Sequence, residues 1–159
     1  MKGDEPDVEA FLQYSLGVHN TRKSRAGRAL ENHLEFIFQS NDLRPSRAPE
    51  TEHRAKPDFL FPGIAEYRDN TFPTSKLTVL GAKYSCKDRW RQILAEALRI
   101  DTKHLFTLEP GISKHQTDEM NAHKVQLVIP TLLHETYTQD QRIRLMGLRE
   151  FISLVKSHQ

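Results

Sequence analysis

The sequence predicts an α/β domain, a mixed sheet flanked by helices, on three observations. Short apolar runs around Phe59–Phe61, Lys76–Lys83, His104–Leu108 and Val125–Ile129 have the length and side chains of core strands. Segments between and around them carry apolar residues at helical spacing. Their order is helix, strands, helix, strand, helix, strand, helix, which builds a layered α/β sandwich. A chain of 159 residues suits a single domain with a real core, here taken as 1–159 with its centre from about residue 20 onward.

Asp7 to Val18 reads as a helix with Val8, Phe11 and Leu12 on one face, and Asn20 to Lys23 as a hinge. Ser24 is placed to cap a second helix through about Gln39, whose Leu30, Leu34, Ile37 and Phe38 repeat at helical spacing. Asn41 to Arg54 reads as a polar loop with Pro45 and Pro49. Pro57 disfavours helix for the residue before it, so Phe59–Phe61 follows as a strand and Pro62-Gly63 turns the chain. Ile64 to Asn70, with Tyr67 and Arg68, reads as a short strand or a loop. After the Lys76–Lys83 strand, Ser85 or Cys86 opens a helix. Asp88 falls in its first turn, where the helix dipole favours a carboxylate, and Trp90, Ile93, Leu94 and Ala97 form its apolar face. The His104–Leu108 strand ends at Pro110-Gly111, Ser113 to Ala122 is a polar helix, and Pro130 closes Val125–Ile129. Thr138 caps a final helix to about Lys156 with Ile143, Met146, Leu148, Phe151, Ile152 and Val155 buried, against the sheet or against a second subunit.

Composition excludes several classes. The net charge is only +2, but positive charge is focused in two places: Arg22, Lys23, Arg25 and Arg28, and Lys83, Lys87, Arg89 and Arg91. Such stripes are the footprint of phosphate contact. One cysteine, Cys86, allows no internal disulfide and fits a reducing cytoplasm. No run reaches membrane-spanning length, the first residues do not read as a signal peptide, and none of the eight histidines pairs with cysteine at zinc spacing.

The chemistry-bearing residues lie at strand ends. Asp58 opens one strand and Lys83 closes a neighbour, the pairing used in divalent-metal phosphodiesterase sites. The common nuclease pattern has an acid two residues before the lysine. That position is Gly81, and Glu96, on the expected helix, is the nearest replacement. Glu31 and Glu35 sit one turn apart on the Ser24 helix. Singly, each residue has an ordinary reading, as turn cap, strand-end lysine or exposed helix glutamate. Only the set points to a site.

The set resembles the catalytic domain of EcoRII-type type II restriction endonucleases, a branch of the PD-(D/E)xK superfamily with its second acid on the following helix. The resemblance rests on Pro57-Asp58, the Ala-Lys-x-Ser-x-x-x-Arg-x-x-Gln pattern from Ala82 to Gln92, Glu96, and the block Arg22 to Glu31. It implies a restriction-endonuclease-like fold and Mg²⁺-dependent cleavage of double-stranded DNA. Asp58 and Glu96 would hold Mg²⁺ with Glu31 in support, and Lys83 would sit beside the attacked phosphate. Lys87, Asp88 and Arg89 would read bases in the major groove: Arg and Lys donate to guanine, Asp accepts from cytosine. The implied target is a CC-GG type site, CCWGG or CCNGG, with central bases flipped out in related enzymes. Arg22, Arg25 and Tyr67 are further DNA-contact candidates, and a homodimer is the expected assembly. A repair or mismatch nuclease that nicks one strand is an alternative on the same core. A catalytically silent DNA-binding module is a third reading, opposed by the intact Asp58, Lys83 and Glu96.

Overall fold

The computed structural model describes residues 23–159, without the side chains of residues 23–26, Lys87 and Asp88. The expected Asp7–Val18 helix and Arg22 lie outside the described residues, as does the side chain of Arg25. A five-stranded sheet runs through the centre in the order β1 (Ser46–Arg47), β2 (Phe59–Phe61), β3 (Thr78–Lys83), β4 (Lys103–Thr107), β5 (Val125–Val128). β1, β2 and β3 pair antiparallel, whereas β3, β4 and β5 pair parallel, so the sheet is mixed. Each parallel step needs a crossover. A 3-10 segment, Lys87–Ala95, makes the first and helix α3, Lys114–Ala122, the second.

Period-2 alternation sorts the side chains. Phe59, Phe61 and Leu80 join the larger core, while Leu60 and Val79 join a smaller cluster with Tyr67, Leu77, Ala97 and Ile100. Helix α1, Lys23–Ser40, buries Leu30, Leu34, Ile37 and Phe38 in the larger core. There Phe38 meets Phe59 and Phe61 edge-on at 5.2 and 5.1 Å, and Phe61 meets Phe151 at 5.6 Å. Edge-to-face geometry sets the positive ring rim against a negative face, which adds to simple burial.

Three expected elements differ. Ile64–Arg68 is a short helix, α2, rather than a strand or loop. The segment after β3 is 3-10, not α-helical. The single C-terminal helix is two: Thr138 does cap a helix, with a full capping box to Gln141, but this helix, α4, ends at Arg142. The chain then pairs with β5, Ile129 N–H donating to Met146 O at 2.8 Å, and resumes as α5, Leu148–Ser157. Ile143, expected in the core, falls in the break and is 84% exposed. No helix among the described residues is long and apolar enough to cross a membrane.

His104 on β4 is buried, its ring stacks obliquely on Phe151 at 5.3 Å, and its Nδ1 has no hydrogen-bond partner. Burial, with a smaller contribution from His158, depresses its pKa from 6.5 to about 4. The unfolded chain therefore binds this proton more tightly, and stability rises with pH between those values. The contribution is fully present above pH 6.5 and is lost as pH falls through 4, about 3 kcal/mol across the window. Urea unfolding at pH 7 and pH 4.5 checks this: His104→Phe should lose less stability between the two than the parent protein.

Candidate active site

Four of the residues picked out in the sequence meet at one end of the sheet. Asp58 precedes β2, and its position is fixed by its own chain: Ala48 N–H donates to Asp58 O at 3.0 Å, and Asp58 Oδ2 accepts from Ala82 N–H at 2.7 Å. This last bond ties the carboxylate to the final residues of β3, and so to Lys83, which ends that strand half-buried. Glu31 comes from α1. Burial, then the nearby charge of Asp58, raises its pKa, opposed by Arg47. Arg47 on β1 bridges Glu31 at 3.3 Å and Glu35 at 3.5 Å.

Glu96 completes the group from an unexpected local structure. It is the residue after the 3-10 segment, in extended conformation (φ −96°, ψ 146°), rather than a residue on a helix. Burial first, then the charge of Asp58, lifts its pKa to about 7, while Lys83 and Lys103 pull it down. Asp58, Lys83 and Glu96 are therefore within electrostatic reach of one another. The packing also accounts for Gly81. A Cβ at that position would lie 2.9 Å from Ile93 Cδ1 and 3.4 Å from Leu105 Cδ1, so the 3-10 segment occupies the space a strand acid would need.

The carboxylates of Asp58, Glu31 and Glu96 form an oxygen-only donor set, which suits a hard divalent cation. Among the described residues no three His, Cys, Asp or Glu side chains form a ready-made metal cage. The residues fit the ion in chemistry.

Of the expected readers, only the side chain of Arg89 is described. Arg89 is exposed at the start of the 3-10 segment, with its N–H and that of Trp90 both donating to Cys86 O. Trp90 is 2% exposed and anchors the segment, and Arg91 lies over its ring at 4.6 Å. Arg91 is also paired with Glu119. Tyr67 corrects an expectation: it is buried, not a surface aromatic. Its hydroxyl bonds Glu52 and accepts from Arg99 N–H at 3.0 Å, which removes it from the DNA-contact candidates. Reading the sequence missed Arg47 and Glu52, whose partners lie about 15 residues away, and Lys103, which folds back on the carbonyls of Ala97 and Ile100. Two surface concavities, of about 240 and 350 Å³, are lined by other residues.

A mixed five-stranded sheet flanked by helices makes this a restriction-endonuclease-like α/β protein. Two structures of Ecl18kI share this fold. The metal-depleted enzyme in complex with uncleaved DNA matches with a TM-score of 0.72 at 20% identity, over 91% of this chain and 49% of that one. The complex with uncleaved, modified DNA matches with 0.74 at 19% identity, over 91% and 48%. The particular family follows from sequence: the family described as EcoRII C terminal matches residues 1–152, and the chain belongs to it. The type II restriction enzyme EcoRII of Escherichia coli is 47% identical over 147 residues, 92% of this chain and 36% of that enzyme. The chain thus spans about a third of that relative's length.

Proposed function

We propose that the chain is a type II restriction endonuclease that hydrolyses phosphodiester bonds of double-stranded DNA with Mg²⁺, at a short G·C-rich site of CC-GG type such as CCWGG or CCNGG. The observation that carries the reading is the convergence of Asp58, Glu31, Lys83 and Glu96 at one end of the sheet. Asp58 and Glu96 hold the ion and Glu31 supports it. When bound, Mg²⁺ lowers the pKa of a water and neutralises charge on the phosphoryl oxygens. Lys83 places its ammonium beside the attacked phosphate and donates a hydrogen bond to it, without competing for the carboxylates' outer oxygens. Membership of the EcoRII C-terminal family and the DNA-bound Ecl18kI neighbours support the substrate class. Two copies acting together would cut both strands of a two-fold site.

Supercoiled plasmid incubated with Mg²⁺ or with EDTA tests this. Discrete linear fragments with Mg²⁺ alone are expected. Persistent nicks would indicate a one-strand repair nuclease, and retardation without cutting a DNA-binding module; either result overturns the proposal.

Recognition follows from Lys87, Asp88 and Arg89. Asp88 is repelled by the phosphate backbone, so its place between two cations makes sense as an acceptor for cytosine amino groups. Arg89, exposed on a segment anchored by Trp90, can contact guanine O6 and N7. Arg89→Ala should cost about 1–3 kcal/mol on a CC-GG duplex and little on a scrambled one, with the salt slope unchanged. Arg25→Ala should weaken both duplexes alike and flatten the salt dependence. Equal losses on both duplexes for Arg89→Ala would reduce the triplet to a backbone contact.

A further inference from the structure

Glu96 has no helix to hold it, and the residues after it explain how it keeps its place. Ala97 turns the chain with φ 47°, a left-handed conformation that a non-glycine residue adopts only when its surroundings impose it. The surroundings are specific. Lys103, the first residue of β4 and 4% exposed, reaches back to donate its Nζ to Ala97 O at 2.7 Å and to Ile100 O at 2.5 Å. Ala97 N–H donates to Thr51 Oγ1 at 3.2 Å, and Arg99 N–H to Tyr67 Oη at 3.0 Å. The Arg99 guanidinium then spans the carbonyls of Tyr67, Asp69 and Phe72.

Burying an ammonium costs several kcal/mol unless its donors and charge are satisfied. β4 enters the sheet beside Val79, and the small cluster of Leu60, Leu77, Val79 and Ile100 could take an apolar residue at this point if packing were all that mattered. The lysine instead closes the 97–100 turn, and its charge acts on Glu96, Glu52 and Asp101. We propose that Lys103, with Thr51, is a positioning residue that holds Glu96 toward Asp58 and Lys83. This rests on the reading of Glu96 as a metal-binding acid. Lys103 touches neither DNA nor ion. It fixes the backbone from which the carboxylate projects, and supplies the positive charge behind it. Groups of this kind that orient a ligand typically change metal affinity or activity by about 10–100-fold when removed.

The test is plasmid cleavage by the full chain across a Mg²⁺ series, with thermal melting of each variant. Lys103→Met keeps the length of the side chain and removes the donors. It should raise the half-saturating Mg²⁺ concentration about 10-fold or more, with a smaller fall in the rate at saturation. Thr51→Val should move the half-saturation point in the same direction by a smaller factor, and Thr51→Ser, which keeps the acceptor, should match the parent. A folded Lys103→Met with the parent's Mg²⁺ dependence overturns the proposal. So does a Thr51→Val indistinguishable from Thr51→Ser, which decides the matter if Lys103→Met fails to fold. Glu96→Ala, run alongside, separates the two levels: if it cuts at the parent rate, the reading of Glu96 itself has failed. If it is inactive while the Lys103 and Thr51 variants behave as the parent, only the positioning role has.

Discussion

Glu96→Ala should stop DNA cleavage as completely as Lys83→Ala. The expectation is sharp because Glu96 is not where strand-borne acids of this chemistry usually stand. Sequence distance alone would call a glutamate so far from the lysine dispensable. Packing says otherwise. Ile93 fills the space above Gly81 that a strand acid would use, and the same segment delivers Glu96 to within electrostatic reach of Asp58 and Lys83. Removing a carboxylate that helps hold the ion forfeits several kcal/mol of transition-state stabilisation, about a 10³-fold fall in rate or more. Cleavage of a plasmid under single-turnover conditions measures it. A parent-like rate for Glu96→Ala would hand the second metal-binding position to another acid, with Glu31 and Glu35 first in line. The steric argument adds a corollary. Gly81→Asp in the Glu96→Ala background can restore cutting only if the Ile93 side chain moves aside, since its Cδ1 lies 2.9 Å from the new Cβ.

Much of this arrangement was legible in the sequence, and the parts that were not share a cause. The larger core announced itself: Leu30, Leu34, Ile37 and Phe38 at helical spacing, Phe59–Phe61 behind a proline, and the apolar runs of β3, β4 and β5 all form the elements expected. Asp58 and Lys83 were recognisable because strand order placed them together. The segment carrying Trp90 and Ile93 read as an α-helix because over nine residues the i, i+3 spacing serves a 3-10 helix equally well. The break before α5 was hidden because Thr138 is a true cap and Ile143 and Met146 keep an apolar rhythm through it. Gly147 marks the restart, where a Cβ would lie 3.1 Å from Thr131 Oγ1. Tyr67, Lys103 and Arg47 could not be read at all. Glu52, and Glu31 with Glu35, reach Tyr67 and Arg47 only through tertiary structure; Lys103 bonds carbonyls three and six residues back, but through a left-handed turn at Ala97 that no propensity signals.

Asp58→Ala and Asp58→Asn should both abolish cutting while leaving DNA binding in Ca²⁺ largely intact. The pair matters because Asp58 does two things. Its Oδ2 accepts from Ala82 N–H at 2.7 Å, which fixes the approach of β2 to the end of β3, and its charge presses on Glu31 and Glu96. Asparagine preserves an oxygen acceptor for Ala82 and loses only the charge, whereas alanine loses both. If the carboxylate serves the ion, the two variants are equally inactive, and Asp58→Asn melts no lower than the parent because removing one of several crowded like charges relieves repulsion. If the residue served only to join the strands, Asp58→Asn would cut normally and Asp58→Ala would be the weaker of the two in a melt. Gel retardation in Ca²⁺ supplies the third reading. A carboxylate that serves the ion and not the groove leaves affinity for DNA intact in both variants even as cleavage falls by about 10³-fold. Cutting by Asp58→Asn at the parent rate would remove Asp58 from the metal site.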